Sequence, residues 1–224
     1  MLYFRLNKVK ILSNREKGFL FFNKDRAEVK LFSFVTTDNT DLPELANLNF
    51  SSKEEDRRRI IKATVEHCVS ARTFVEIRHV KDNQSLFFGD TGYVLYQAEP
   101  IPNDFNWIFL GIESDKGARE FGDFLDDTVK NDNFRKFSRN ILPLLRKKAS
   151  VNPATTAGYL AATYIASVIA ERMKKNKDDL IGILYMSLNR IEHYPHCFRK
   201  RDDVPDLTQN MFVDYVLFGY EPGA

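Results

Sequence analysis

The residues from Trp107 to Asp115 read W-I-F-L-G-I-E-S-D, and the predicted fold is organised around them. A turn containing proline, asparagine and aspartate precedes it, and its large apolar residues stop abruptly at two carboxylates, Glu113 and Asp115. A short apolar run bounded in this way predicts a strand in a sandwich core. Because side chains alternate across a strand, the two carboxylates should point to the same side.

A second strand-like run, Ile183 to Ile191, follows the hexapeptide K-D-D-L-I-G that ends at Gly182. If this strand lies beside the first, Glu113, Asp115 and Asp179 converge at one end of a sheet. The residues between the two strands, about 116–177, then form an insertion in a single domain that spans 1–224.

Composition supports a packed domain and argues against a nucleic-acid-binding, a secreted or a membrane-spanning protein. The 224 residues are 43% apolar and include nineteen phenylalanines, enough for a core rich in rings. A net charge of +2 gives no overall nucleic-acid signature, so we expect no nucleic-acid partner. The N-terminal residues lack the apolar core of a signal peptide, and no long run is strongly apolar. We therefore expect a soluble cytoplasmic protein with no transmembrane segment.

The two cysteines, Cys68 and Cys197, do not make a disulfide framework. One bridge between them stays open, but free buried thiols in a reducing compartment are the better interpretation.

The first third of the chain predicts strands and one helix. Residues 2–12 alternate with a change of parity near Asn7, which indicates a bulge, and Val29 to Thr37 is typical of a strand. Ser51 and Ser52 each have a glutamate three residues on, the capping box of a helix that should run to about Ser70. Its apolar stripe is Ile61, Val65, Cys68 and Val69.

The remaining elements follow from turn signals and spacing. Three strands are predicted over 74–98, with Gly89 to Gly92 as a hairpin turn. The insertion predicts helices at 118–129 and 134–145 and a third from Pro153 to about Lys175. Strands at 181–192 and 211–219 follow, separated by a charged loop over 195–209. The fold class is thus mainly β with α insertions: an antiparallel sandwich of about eight strands with one early helix and a late helical insertion.

The I-E-S-D strand end together with the downstream K-D-D-L-I-G resembles the C2-domain family. In that family a strand ending D-x-D leads to an Asp-x-Ile-Gly start of the next strand, and A-E-V-K-L at Ala27 to Leu31 also looks like one of its strands. The resemblance covers about two-thirds of the chain and implies an eight-stranded sandwich that binds calcium and phospholipid, or docks proteins, through loops at one end.

The resemblance also implies the candidate metal ligands. Asp115 and Asp179 stand at the second and third acidic positions, and Glu113 replaces an expected aspartate at the first. Calcium takes six to eight oxygen ligands, so these three acids alone form an incomplete cage. The alternative is that they cap the inserted helices or are solvated, with no cofactor bound.

The leading hypothesis for function is a non-catalytic binding or scaffold module that engages a protein partner or an anionic phospholipid surface, peripherally, through its loops and the insertion. The candidate surface is basic and flanks the inserted helices: Arg146, Lys147, Lys148, Lys174, Lys175 and Lys177. Further basic patches lie at 8–10, 57–59 and 199–201. If the patches share one end of the sandwich, they form a cationic rim around the acids.

Two alternatives remain. The uncharged span 149–170, with small residues at Ala154, Gly158 and Ala162, is compatible with a membrane-perforating effector that stores the helix 153–175 and releases it. A carboxylate- or metal-dependent hydrolase would use Asp90, Glu113, Asp115 and Asp179.

The sequence contains no enzyme motif and no complete metal-binding motif that would favour catalysis. The sequence contains no nucleophile elbow, phosphate-binding loop or H-E-x-x-H motif, and we expect no enzyme. The cluster His193-Tyr194-Pro195-His196-Cys197 offers three ligands where a structural zinc site needs four, and is better interpreted as a turn. Cys68 and His67 are consecutive on the predicted helix, so they diverge by about 100° and do not form a nucleophile pair.

Overall fold

The structure, a computed structural model, describes residues 1–15, 27–40, 53–70, 73–113, 153–175 and 179–221. Within these ranges, side chains are described except at positions 69, 70, 74, 153–155, 168–175 and 179. The strands are β1 Leu2–Ile11, β2 Ala27–Thr37, β3 Thr73–Val80, β4 Gln84–Phe87, β5 Tyr93–Ala98, β6 Asp104–Glu113, β7 Asp179–Asn189, β8 Phe198–Pro205 and β9 Met211–Gly219. The helices are α1 Glu54–Ser70, α2 Pro153–Lys175 and α3 Arg190–His193.

The strands form two antiparallel sheets that pack as a sandwich, which confirms the predicted mainly-β class. One sheet has the order β4-β1-β9-β8, with β5 also paired to β1, and the other has the order β3-β2-β6-β7. The central prediction, that the strands on either side of the insertion are neighbours, is confirmed. Asp104 lies opposite Asn189 at one end of the β6–β7 pair, and Glu113 lies opposite Asp179 at the other.

The predicted hairpin at Gly89–Gly92 is wrong. β5 pairs with the first half of β1, β4 pairs with the second half, and both are antiparallel to it. The chain therefore continues in one direction along the edge of the sheet, and residues 89–92 form a short excursion between β4 and β5, which are two pieces of one interrupted strand. Gly89 and Gly92 have φ values of +75° and +74°, at which a residue with a side chain would be strained. The described strands, nine in number, thus occupy eight positions in the two sheets.

The loop predicted over 195–209 is also wrong in part, because residues 198–205 form β8, the edge strand of the five-stranded sheet. Charged side chains and a bulge are usual on edge strands, where they prevent pairing with other chains. The register with β9 shifts between Arg201 and Val204, which marks such a bulge. The bulge predicted near Asn7 is confirmed by a register shift between Leu6 and Lys8.

Two apolar cores divide the molecule into three layers. The first lies between the sheets and holds the aromatic side chains of Phe4, Phe105, Trp107 and Tyr215. Phe4 and Trp107 meet edge to face with ring centroids 4.7 Å apart. The second core lies on the other side of the four-stranded sheet, which α1 and α2 cover. β6 is therefore buried on both faces, and nine of its ten residues are buried.

The helix predicted from Pro153 to about Lys175 is confirmed as α2. It lies on the four-stranded sheet, and the packing is close: a methyl group on Gly158 would come 2.7 Å from Cβ of Asn106 in β6. Ala157, Ala161 and Tyr164 of the same helix are buried in that contact. The small residues therefore serve packing on the sheet. Among the described residues, none of the helices combines the length and the hydropathy that a membrane-spanning segment needs.

α1 confirms the early helix, and Ile61, Val65 and Cys68 of its predicted stripe are buried. The capping serines, Ser51 and Ser52, lie outside the described residues, as do the helices predicted at 118–129 and 134–145.

A buried carboxylate, Asp206, fastens β7 to the start of β9. Its two oxygens accept hydrogen bonds from the backbone N–H groups of Ile183, Thr208, Asn210 and Met211 and from the hydroxyl of Thr208, all at 2.7–2.9 Å. The backbone of β7 comes so close to the Asp206 side chain that a methyl group on Gly182 would lie 2.9 Å from Oδ2 of Asp206. This contact explains the glycine of the K-D-D-L-I-G motif.

Replacing the fastening carboxylate should destabilise the fold. Asp206→Ala leaves four backbone N–H groups without their acceptor, so we expect the free energy of unfolding to fall by about 2–4 kcal/mol. Asp202→Ala removes an exposed carboxylate of the same sequence segment and should change stability by less than about 0.5 kcal/mol. Urea denaturation of both variants measures the difference. A loss below about 1 kcal/mol for Asp206→Ala would show that the loop rearranges without its carboxylate.

Candidate functional site

The acidic end of the β6–β7 pair holds the predicted metal ligands, of which the structure describes one side chain. Glu113 is buried and lies opposite Val29 of β2, on the side of the sheet that faces the core between the sheets. Asp179 is its register partner, but that side chain is not described, and Asp115 lies outside the described residues. The convergence of the three acids therefore stays a prediction. The part of the chain that the structure describes contains no group of three side chains able to hold a metal ion.

The predicted basic surface is described only at its edge. Lys174 and Lys175 end α2, without described side chains. The other members lie outside the described residues: Arg146, Lys147, Lys148 and Lys177. This surface also stays a prediction.

The opposite end of the sandwich is organised by the turn from β7 into β8. α3 begins at Arg190, and its cap Asn189 accepts a hydrogen bond from the N–H of Ile191 at 2.9 Å. The guanidinium of Arg190 donates to Glu221 at 2.6 Å and lies 3.5 Å from Sγ of Cys197. The N–H of Gly219 donates to the carbonyl of Cys197 at 2.7 Å. These contacts bring α3, the start of β8 and the end of β9 together.

Three large apolar side chains are exposed where these segments meet. Ile191 is 81% exposed, Phe198 57% and Tyr220 62%. We call these three residues the apolar tip. Below them, Tyr194 is fully buried, and its hydroxyl donates to the carbonyl of Pro102 at 2.8 Å. The tip therefore stands on an ordered base, and its exposure is a property of the folded chain.

Three consecutive basic residues, Arg199 to Arg201, lie beside the apolar tip at the start of β8. Nε of Arg199 donates to the hydroxyl of Tyr215 at 2.9 Å, while Lys200 and Arg201 are exposed. The hypothesis that this patch forms a cationic rim around the acids is wrong. Glu113 and the tip stand at opposite ends of ten-residue strands, which are roughly 30 Å long.

The base of the tip also holds a pair of carboxylates, Asp38 and Asp104. Asp38 accepts hydrogen bonds from the backbone N–H groups of Asn103 and Asp104 at 2.9 and 3.1 Å, which ties two loops together. Burial raises the pKa of the Asp104 carboxyl, and the charge of Asp38 adds to this effect, whereas a hydrogen bond from Asn189 opposes it. Because backbone donors occupy the oxygens of Asp38, the pair serves to hold the loops.

The other candidate catalytic and metal-binding side chains lie on separate elements. Asp90 belongs to the excursion in the five-stranded sheet and Glu113 to the four-stranded sheet, and neither is part of a described group of three side chains that could hold a metal ion. Of the residues 193–197, His193 accepts a hydrogen bond from the backbone of Asn189 at 3.1 Å through Nδ1, and His196 is exposed.

Both cysteines are free and buried, as predicted. Cys68 lies in the core between α1 and the sheet, and burial raises the pKa of its thiol to about 12, while His67 beside it is exposed. A thiol in such surroundings is a poor nucleophile, because the thiolate is the reactive form.

Comparison with known proteins finds no family model that matches the sequence and no curated protein that matches it significantly. The C2 resemblance therefore stays a hypothesis carried by the motifs alone.

The apolar tip was not predicted from the sequence, although Ile191, Phe198 and Tyr220 are all large apolar residues. The sequence pattern predicts a strand at Ile191 and a loop at Phe198, and neither prediction indicates which side chains are exposed. The one available signal was Phe198 next to three basic residues.

The thiol of Cys68 should resist modification as long as the protein is folded. With a pKa of about 12 in place of 9.0, its thiolate fraction at pH 8 falls from about one in ten to about one in ten thousand. In a Cys197→Ser variant, which isolates Cys68, we expect the dithionitrobenzoate reaction to be at least about a hundredfold slower in buffer than in urea. Native and unfolded rates within tenfold of each other would contradict the buried position.

Proposed function

We propose that this chain is a non-catalytic binding module on a C2-like sandwich and that its apolar tip binds anionic membrane surfaces. The observation that carries the proposal is the joint exposure of Ile191, Phe198 and Tyr220 beside the basic run at 199–201. Large apolar side chains that protrude next to cations suit an interface in which hydrocarbon lies just below anionic head groups.

The magnitudes favour reversible binding. Transfer of a large apolar side chain from water yields about 1.5–3 kcal/mol when it is fully buried. Each lysine or arginine near an anionic surface adds about 1 kcal/mol. The favourable free energy would exceed the free-energy cost of association by a modest margin when the three apolar side chains and the exposed Lys200 and Arg201 are taken together. The protein would then be peripheral, and its binding would weaken as salt increases.

The order of the tip supports the same proposal. The cap of α3, the ion pair between Arg190 and Glu221, and the hydroxyl of Tyr194 hold the backbone that carries the three side chains. Little conformational entropy would be lost on binding, because these segments are already fixed.

Calcium is not required by this proposal. Of the three acids that the C2 resemblance implies as ligands, only the Glu113 side chain is described, and it lies at the end of the sandwich remote from the tip. In this proposal the tip binds the membrane without a metal ion.

Vesicle flotation tests the proposal directly. At low salt, the protein should float with phosphatidylcholine vesicles that contain phosphatidylserine and much less with phosphatidylcholine alone. The double variant Ile191→Ser/Tyr220→Ser should bind at least about tenfold more weakly, because it removes two of the inserted side chains. Arg201→Glu should lower the preference for anionic vesicles by about tenfold.

Arg59→Glu provides the matched control, because it makes the same charge change on an exposed position of α1, on the far side of the four-stranded sheet. It should bind anionic vesicles as the wild type does. Equal and negligible flotation with both lipid compositions would reject the membrane proposal and favour a protein partner for the tip.

Flotation with anionic vesicles should be the same in calcium and in chelator, since the tip and Glu113 lie at opposite ends of the sandwich. The melting temperature in both buffers serves as the reference for metal binding itself, because a ligand that binds only the folded state raises it. Flotation that disappears in chelator would contradict a metal-independent tip.

A further inference from the structure

Two histidines lie in the chain between residues of the apolar tip. The chain has four histidines, and two of them, His193 and His196, stand at the end of α3 and in the turn that follows it, between Ile191 and Phe198. The side chain of His193 is 32% exposed, and His196 is exposed. Histidine is the side chain whose charge changes between pH 5 and 8. The charge around the tip therefore depends on pH.

His193 takes part in the cap of α3. The side chain of Asn189 accepts a hydrogen bond from the N–H of Ile191 at 2.9 Å, and Nδ1 of His193 accepts one from the N–H of Asn189 at 3.1 Å. This reciprocal pair resembles a capping box, in which the cap residue and a residue of the first turn each satisfy a backbone donor. Because a backbone N–H only donates, the second hydrogen bond requires a neutral His193 with its proton on Nε2.

The same ring nitrogen also lies within reach of acceptors. Nδ1 of His193 is 3.2 Å from the carbonyl oxygen of Asn189 and 4.0 Å from the carboxylate of Glu192. When His193 gains a proton, Nδ1 donates to that carbonyl, and the imidazolium gains a carboxylate beside it. The cap then loses one hydrogen bond and gains another. The position therefore accommodates both protonation states of the ring.

The other ionisable groups around α3 come from each element that packs against it. They are Arg190 and Glu192 on α3 itself, Tyr194 and Cys197 in the turn, Asp38 and Asp104 at the base of the tip, Arg199, Lys200 and Arg201 on β8, and Glu221 after β9. Asp38 already accepts from two backbone N–H groups, and Glu221 already pairs with Arg190. Glu192 is thus the carboxylate that the structure places beside the His193 ring.

We propose that the apolar tip binds anionic membranes more tightly in acid, with His193 and His196 as the residues that take up the protons. The inference rests on the proposed function, because it concerns the same tip. Protonation adds up to two positive charges next to the basic run at 199–201. Each cation near an anionic surface strengthens binding about fivefold, which corresponds to about 1 kcal/mol. Two protons therefore strengthen binding on the order of twentyfold.

Flotation of the full chain at pH 7.5 and at pH 5.5, at equal ionic strength, tests the inference. The vesicles contain phosphatidylcholine and phosphatidylglycerol, whose phosphodiester stays ionised at both pH values, so that only the protein changes its charge. The dissociation constant of the wild type should fall about tenfold from pH 7.5 to pH 5.5. In the variant His193→Gln/His196→Gln it should change by less than about twofold, because glutamine keeps a hydrogen-bonding side chain but does not titrate.

Two further variants serve as controls. His67→Gln removes a histidine from an exposed position of α1 and should keep the wild-type pH dependence. His196→Lys fixes a positive charge at the tip and should bind about fivefold more tightly than the wild type at pH 7.5. A wild type that binds equally, within about twofold, at both pH values would overturn the inference and leave the proposed function intact. Wild-type pH dependence that survives in His193→Gln/His196→Gln would do the same, whereas no flotation at either pH would reject both.

Nuclear magnetic resonance of the full chain with 15N-labelled histidine tests the role of His193 without a membrane. At pH 8 the ring should carry its proton on Nε2, and the backbone N–H signal of Asn189 should shift as the ring titrates, because that N–H donates to Nδ1. Circular dichroism at both pH values checks that each variant is folded. A neutral His193 with its proton on Nδ1 would overturn its place in the cap.

Discussion

The burial of β6 on both of its faces determines how the other elements are arranged. A strand whose side chains are apolar in both directions must be covered twice, because one exposed face would leave a continuous hydrophobic stripe in water. In this chain the five-stranded sheet covers one side of β6, and α1 and α2 cover the other. Three layers result, and the four-stranded sheet has no free face. Among the described residues, the surfaces left uncovered are the ends of the sandwich and the outer side of the five-stranded sheet.

Each end of the sandwich is held by hydrogen bonds to side chains of a different kind. At the acidic end, one carboxylate, Asp206, gathers four backbone N–H groups and joins β7 to β9. At the other end, Asp38 and Tyr194 tie the loops around the start of β6. The backbone partners of these side chains are all in place, so the hydrogen bonds specify the loop geometry. They also hold the backbone beneath the apolar tip.

The sequence predicted well the elements whose apolar pattern leaves one solution. The sequence predicted β6 and β7 from their long apolar runs, and it predicted α2 from a periodic apolar pattern that follows a capping residue. The pairing of β6 with β7 followed from the K-D-D-L-I-G motif that leads into β7. β8 was missed because an edge strand satisfies only one row of hydrogen bonds and tolerates charges such as Arg201 and Asp202. Gly89 to Gly92 was misread because glycines at positive φ serve a hairpin and an excursion equally. The tip was missed because exposure depends on neighbours that are distant in sequence.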